Sequence, residues 1–322
     1  MRRRTLLAAL PATLAAPSLH AQPAAWPDRP VRLVNPFTAG SAVDVVARLV
    51  ALDMAERIPA QIVVENRTGA SGNVGTEAVA RARPDGTTLL VGSPGTMGIN
   101  PFLFRSLPYD AVADFVPVSL MVTFPQVMVV NPSSPFRSLS ELVAAAKARP
   151  GELNYASSGN GSTSHLAFAL LQAATGIDMV HVPFRGGSPA VQAVMQDQVH
   201  VALEGIPSLP GFLSAGQLRP IAVTSAERSA KLPDVPAVAE TVPGFDAAAW
   251  VIIFAPAGTP APMVERFSAE IATSLNRPNV RSRLEDIGAA VVGADPARTL
   301  AFHRAELAKW RRAVELSGAR VD

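Results

Sequence analysis

The residues best placed to do chemistry are concentrated in one run, Asn154–Leu166 (NYASSGNGSTSHL), where the hydroxyls of Ser157, Ser158, Ser162, Thr163 and Ser164 surround Gly159 and Gly161. A helix start needs one such side chain as its N-cap. The surplus hydroxyls, with glycines that let the backbone approach closely, suit hydrogen bonding to a small polar or anionic solute. His165 follows directly, but neighbours on a helix point about 100° apart, so Ser164 and His165 do not make a nucleophile–base pair. No G-x-S-x-G elbow occurs in the chain. His181, His200 and His303 show neither H-E-x-x-H spacing nor a carboxylate set beside them, so no metal is expected. No catalytic residue and no cofactor is assigned.

A second junction of the same kind is PFTAGSAVD, Pro36 to Asp44, in which Phe37, Thr38, Ala39, Gly40 and Ser41 lead from a β-branched run into a helical pattern. Backbone N–H groups there can face an anion, and two such helix starts opposed make a clamp. The stretch Gly92–Pro101 adds Ser93 and Thr96. Asp44 lies four residues before Arg48 and reads as half of a structural helix pair. Arg185 can meet a distal ligand carboxylate or a neighbouring acid; both remain open. Trp250 reads as core by default, with cleft lining as the sharper alternative. Gly69–Gly75 (GASGNVG) is neither G-x-G-x-x-G nor a Walker sequence, and close helix–strand packing accounts for it.

These loops need a scaffold, and hydrophobic periodicity predicts one. Val31–Phe37, Ile62–Asn66 and Thr87–Ser93 read as strands, alternating with helices over Asp44–Arg57 and Thr76–Ala82. A second series runs through strands at Gln126–Pro132, Leu153–Ser158, Asp178–Phe184, Val199–Glu204 and Leu218–Ser225. Its helices are expected at Ser140–Ala148, after Ser162, at Pro189–Gln196 capped by Ser188, and before Gly216. Ala248–Gly258 is a further strand, followed by helices capped by Thr259, opened by Pro278 and opened by Asp295-Pro296. Alternating strands and helices predict an α/β protein whose mainly parallel sheets are flanked by helices. In such sheets ligands bind at the carboxyl ends of strands, where both junctions fall.

Length and composition agree. At 322 residues and 48% hydrophobic content, the chain exceeds the ~250–300 residues at which one core stops growing. The N-terminus, three arginines followed by an apolar run to Leu19 and a small residue at Ala21, reads as a signal peptide over 1–21. A membrane span needs ~20 apolar residues and tolerates Pro11 and Pro17 poorly. The twin-arginine and general export routes both fit. Without that segment 25 basic residues face 26 acidic ones, so the high isoelectric point is no evidence for nucleic acid. With no cysteine, disulfides and thiolate chemistry are excluded.

Taken together, Trp26–Gly40 (WPDRPVRLVNPFTAG), Val63–Ser93 (VVENRTGASGNVGTEAVARARPDGTTLLVGS), Leu153–Ala167 and Asp178–Gln192 (DMVHVPFRGGSPAVQ) resemble the periplasmic substrate-binding proteins of tripartite tricarboxylate transporters, the Bug/TctC type. The resemblance implies a two-lobed type II periplasmic-binding-protein fold, with lobes 22–125 plus 250–322 and 126–249 and two crossing strands as hinge. It also implies a monomer that closes on a small carboxylate, held by backbone groups and water between Phe37–Ser41 and Ser157–His165. Expected partners are two membrane permease subunits or a sensor kinase; an exported hydrolase on the same scaffold is the alternative. Asn35, Thr38 and Ser41 depart from the family pattern, as do His200 and Leu203-Glu204-Gly205. Glu204 at a strand exit either receives an ammonium group or repels a second carboxylate; the first leans toward an amino acid or amide-bearing acid over a tricarboxylate.

Overall fold

The computed structural model describes residues 29–321, so the expected signal peptide lies outside the described residues. In chain order the first part comprises β1 (Val31–Asn35), α1 (Ala42–Arg57), β2 (Ile62–Asn66), α2 (Asn73–Ala80), β3 (Thr88–Gly92) and β4 (Phe115–Phe124). The middle comprises β5 (Gln126–Val130), α3 (Leu139–Ala148), β6 (Asn154–Ser157), α4 (Thr163–Thr175), β7 (Val180–Pro183), α5 (Gly187–Met195), β8 (Val201–Gly205) and β9 (Arg219–Val223). The chain ends with β10 (Ala249–Pro256), α6 (Ala261–Asn276), α7 (Pro278–Asp286), β11 (Ala290–Val291) and α8 (Pro296–Ser317).

These strands form two sheets, ordered β11-β4-β10-β3-β1-β2 and β7-β6-β8-β5-β9. β1 pairs in parallel with β2 and β3, and β6 pairs in parallel with β7 and β8. The sheets are mixed rather than simply parallel, because β10 is antiparallel to both its neighbours and so is β5. Each reversed strand is the one that arrives from the other sheet: β5 follows β4 across Pro125, and β10 follows the β9 region. Both sheets are flanked by helices, which gives a two-lobed α/β fold.

Capping follows the local chemistry. Ser41, Ser138, Ser162 and Asp295 each accept a backbone N–H in the first turn of α1, α3, α4 and α8. Two expected caps fail. Thr259 instead donates its hydroxyl to the Pro256 carbonyl, and α6 starts after Pro260. Ser188 does not cap α5, which begins at Gly187, two residues before the expected Pro189, because the backbone turns at Gly186 (φ +111°). The ten-residue β4 has no counterpart among the predicted strands. It is buried on both faces, so alternation is lost, and it contains Pro117, which the pairing with β10 accommodates beside a register shift at Ile253/Phe254.

The C-terminal helix ties the two sheets together. One core cluster joins Tyr155, Leu166 and Phe168 of the second sheet's layer to Ile99 and Leu103 from the first and to Trp310, Ala313 and Val314 on α8. Trp310 is fully buried, and a Cβ on Gly98 would lie 2.9 Å from its ring. The indoles of Trp250 on β10 and Trp310 both donate to Glu306 Oε2, at 2.7 and 2.8 Å. Burial pushes the Glu306 carboxyl up, opposed by Lys309 and the indoles. Trp310→Ala should therefore lower unfolding free energy by about 3–5 kcal/mol, read by urea denaturation; a loss under about 1 kcal/mol would show that α8 does not carry the joint core.

Candidate functional site

At the β1–α1 junction the controlling group is Asp44, only 2% exposed. Its Oδ2 accepts from the Gly40 N–H and Arg48 Nε, both at 2.9 Å, and its Oδ1 accepts from Asn66 Nδ2 (2.7 Å) and Asn35 Nδ2 (3.2 Å). Burial alone would raise its pKa, but these donors outweigh it and hold the carboxyl well below the usual range. Asn66 also donates to the Phe37 carbonyl, and Asn35 Oδ1 accepts the Phe37 N–H. The loop is thus pinned at both ends while Thr38, Ala39 and Gly40 stay exposed. Gly40 adopts φ +80°, where a side chain would be strained.

At the β6–α4 junction most of the hydroxyls build the loop itself. Ser157 is fully buried, its Oγ 2.6 Å from His181 Nε2 and 3.1 Å from the Gly159 carbonyl. Ser164 Oγ accepts the Ser158 N–H and lies 3.1–3.2 Å from the Ser158 and Ser162 hydroxyls. Ser162 caps α4, leaving Thr163 on the cleft side. Gly161 needs both its φ of +73° and its missing side chain, since a Cβ would meet Leu103 at 2.6 Å. Its N–H donates to His165 Nδ1 at 3.1 Å. His165 therefore backs the loop and is not among the residues lining the cavity between the sheets, and its ring stacks on His181 with centroids 3.8 Å apart. The pairing of His181 with Ser157 joins residues 24 apart and could not be seen in the sequence.

Between the sheets lies a cavity of about 290 Å³. Phe37, Ala42, Val43 and Ser93 line it from one side, Thr163, Glu204 and Gly205 from the other, and Gln126, Ala249 and Trp250 where the chain crosses. Of the residues singled out in sequence, Phe37, Ser93, Thr163 and Glu204 meet here. Thr96 is fully buried, its hydroxyl against Ser93, so it shapes the β3 exit without lining the cavity. Arg185 is exposed and outside the lining. Trp250 is essentially buried in the cavity wall with its N–H turned to Glu306. His200 is tied to Asn154 at the far end of β6 and β8, and His303 to the Met97 carbonyl. Gln126, Ala42 and Val43 were missed because nothing in their types marks them; only the crossing and the helix start bring them together. Gly75, from the glycine-rich turn, packs against the Arg67 carbonyl, where a Cβ would come within 2.5 Å.

Among the described residues, no group of three or more His, Asp or Glu is arranged to hold a metal, and no helix is long and apolar enough to cross a membrane. The donors around the cavity are amides and hydroxyls at helix starts, suited to holding an anion without a formal counter-charge. Two sheets exchanging one reversed strand each, with helix N-termini opening on a shared cavity, define the class of two-lobed solute-binding folds. Residues 46–318 match the Tripartite tricarboxylate transporter family receptor, and the chain belongs to this family. It is 38% identical over 315 residues, 97% of this chain and 94% of the other, to the UPF0065 protein in the tcbD-tcbE intergenic region of Pseudomonas sp. (strain P51). Among solved structures, R. palustris Rpa4515 with adipate is 36% identical with a TM-score of 0.78, covering 92% of this chain and 100% of that one. MatC (Rpa3494) from Rhodopseudomonas palustris with bound malate is 35% identical with a TM-score of 0.73, covering 90% and 100%.

Two predictions follow from the loops. Asp44→Ala should cost about 1.5–3 kcal/mol for each charged hydrogen bond not replaced by water, with Asp44→Asn milder, measured by chemical denaturation; equal stability of all three proteins would remove Asp44 from this role. Burial, and then the like charge of His181, push His165 down to about 4 from an ordinary 6.5. Burial also lowers His181. Because the folded state resists a proton the unfolded chain accepts, their contribution is complete above pH 6.5 and is lost as pH falls toward about 4. Melting temperature followed from neutral pH downward should fall more steeply for the natural protein than for His165→Gln; parallel curves would contradict this.

Proposed function

We propose that this protein is a periplasmic receptor that captures a small carboxylate-bearing solute between its lobes and delivers it to the two membrane subunits of a tripartite tricarboxylate transporter. The observation that carries this is the cavity where the capped starts of α1 and α4 meet: Phe37, Ala42 and Val43 on one wall, Thr163 on the other. The helix-start amides of Ala42 and Val43 on α1 and of Thr163 on α4, which line the cavity, take the carboxylate through backbone dipoles and water, whereas the N–H groups of Phe37, Gly40, Ser41 and Ser162 hold their own loops in shape. Relatives solved with adipate and malate support carboxylates as the ligand class. Residues 22–125 with 250–322 act as one lobe and 126–249 as the other, hinged at the crossings beside Pro125 and Ala249. Export through residues 1–21 places the receptor in the periplasm, where it works as a monomer.

A receptor fits better than a hydrolase for a physical reason. The one serine next to a base, Ser157, is buried and committed to His181 and Gly159, away from the cavity wall. A nucleophile has to reach its substrate.

Mature protein freed of bound solute should melt several degrees higher with amino acids, dicarboxylates or tricarboxylates that it accepts, since ligand at 100 times its Kd adds about 2.7 kcal/mol. The ligand should be recovered unchanged. No shift with any of these classes, or turnover of one of them, would overturn the receptor assignment.

A further inference from the structure

Glu204 is the only charged side chain lining the interlobe cavity among the described residues. It projects from the end of β8 on the same wall as Thr163 and across the cavity from Phe37, Ala42 and Val43, and space for it exists because residue 187 has no side chain: a Cβ on Gly187 would fall 1.7 Å from Glu204 Oε2. The carboxylate accepts the Gly205 N–H at 3.0 Å. Burial pushes its pKa up, opposed by that N–H and the Ser208 hydroxyl. No ion pair with Glu204 is formed among the described residues; Arg185, on the loop just before Gly187, is exposed and does not reach it. The start of α5 and the Gly205 N–H offset part of the cost of desolvating this carboxylate, and no counter-charge offsets the rest. A ligand bringing a cation or N–H donor into the cavity removes that penalty, whereas a second carboxylate adds to it.

We propose that Glu204 determines specificity by receiving an ammonium or amide N–H group of the ligand. This rests on the receptor function proposed above and narrows its substrate class to carboxylates that also carry an amine or amide. The work is then divided within one cavity: helix-start amides take the carboxylate and Glu204 takes the nitrogen. Gly187 is the supporting residue, because any side chain there evicts the carboxylate from its seat at the start of α5.

The test compares matched pairs by isothermal titration on solute-free protein: 4-aminobutyrate against succinate, 5-aminopentanoate against glutarate, succinamate against succinate. The natural protein should favour the nitrogen-bearing member of at least one pair by tenfold or more. Glu204→Gln should cut that preference at least tenfold, mainly by gaining affinity for the dicarboxylate and losing it for the amine. Gly187→Ala should erode the preference in the same direction, which covers the case in which Glu204→Gln fails to fold. Tighter binding of the dicarboxylates by the natural protein, or an unchanged ratio in a folded Glu204→Gln variant, would overturn the inference while leaving the receptor function intact. Binding of neither class would overturn both.

Discussion

The architecture depends on one topological feature: the chain leaves one sheet to build another and then returns, and each arriving strand lies against the direction of its new neighbours. β5 does this between β8 and β9, and β10 between β3 and β4. β1, β2, β3 and β4 share one direction in the first sheet, where the two-residue β11 is the other reversed strand, and β6, β7, β8 and β9 share one in the second. Their carboxyl ends, and so the helix starts that follow them, can face each other across the crossings. In open α/β sheets that edge is where backbone N–H groups remain unpaired and ligands bind.

Given that placement, both loops are rigid for reasons internal to the protein. Asp44 gathers donors from Asn35, Gly40, Arg48 and Asn66. The Ser157–Ser164 hydroxyls mostly bond one another and the loop backbone. A loop whose side chains are already satisfied loses little further freedom on binding, so contact with a ligand is not offset by ordering cost. The same arrangement keeps formal positive charge out of the cavity, since Arg48 is engaged with Asp44 and Asn66. The cavity wall is therefore made of dipoles and apolar surface, with Glu204 as its one charged side chain among the described residues.

The joint core under α8 sets a second condition. Trp250 and Trp310 converge on Glu306, and Trp310 packs with residues belonging to both sheets. Relative motion of the lobes has to preserve these contacts or exchange them for others, since packed interfaces move by discrete repacking and not by continuous deformation. The C-terminal helix is therefore a third connection besides the crossing strands.

The α/β class, most strands and helices, the caps at Ser41 and Ser162, and the two strand–helix junctions that border the interlobe cavity were legible in the sequence, because strand and helix periodicity and capping are local properties. Whole blocks such as Val63–Ser93 and Asp178–Gln192 also carried the family. Strand β4 escaped because burial on both faces erases alternation, and the early start of α5 escaped because Gly186 and Gly187, rather than Ser188, suit a turn packed against Glu204. Only the tertiary structure decided which hydroxyl-bearing residues line the cavity. Composition counts Ser157, Thr96 and Thr163 alike, yet packing turns the first two inward and leaves the third at the cavity. Pairings such as His181 with Ser157, Asn66 with Asp44 and Glu204 with Gly187 join distant segments, and their distances are fixed by how helices and sheets stack.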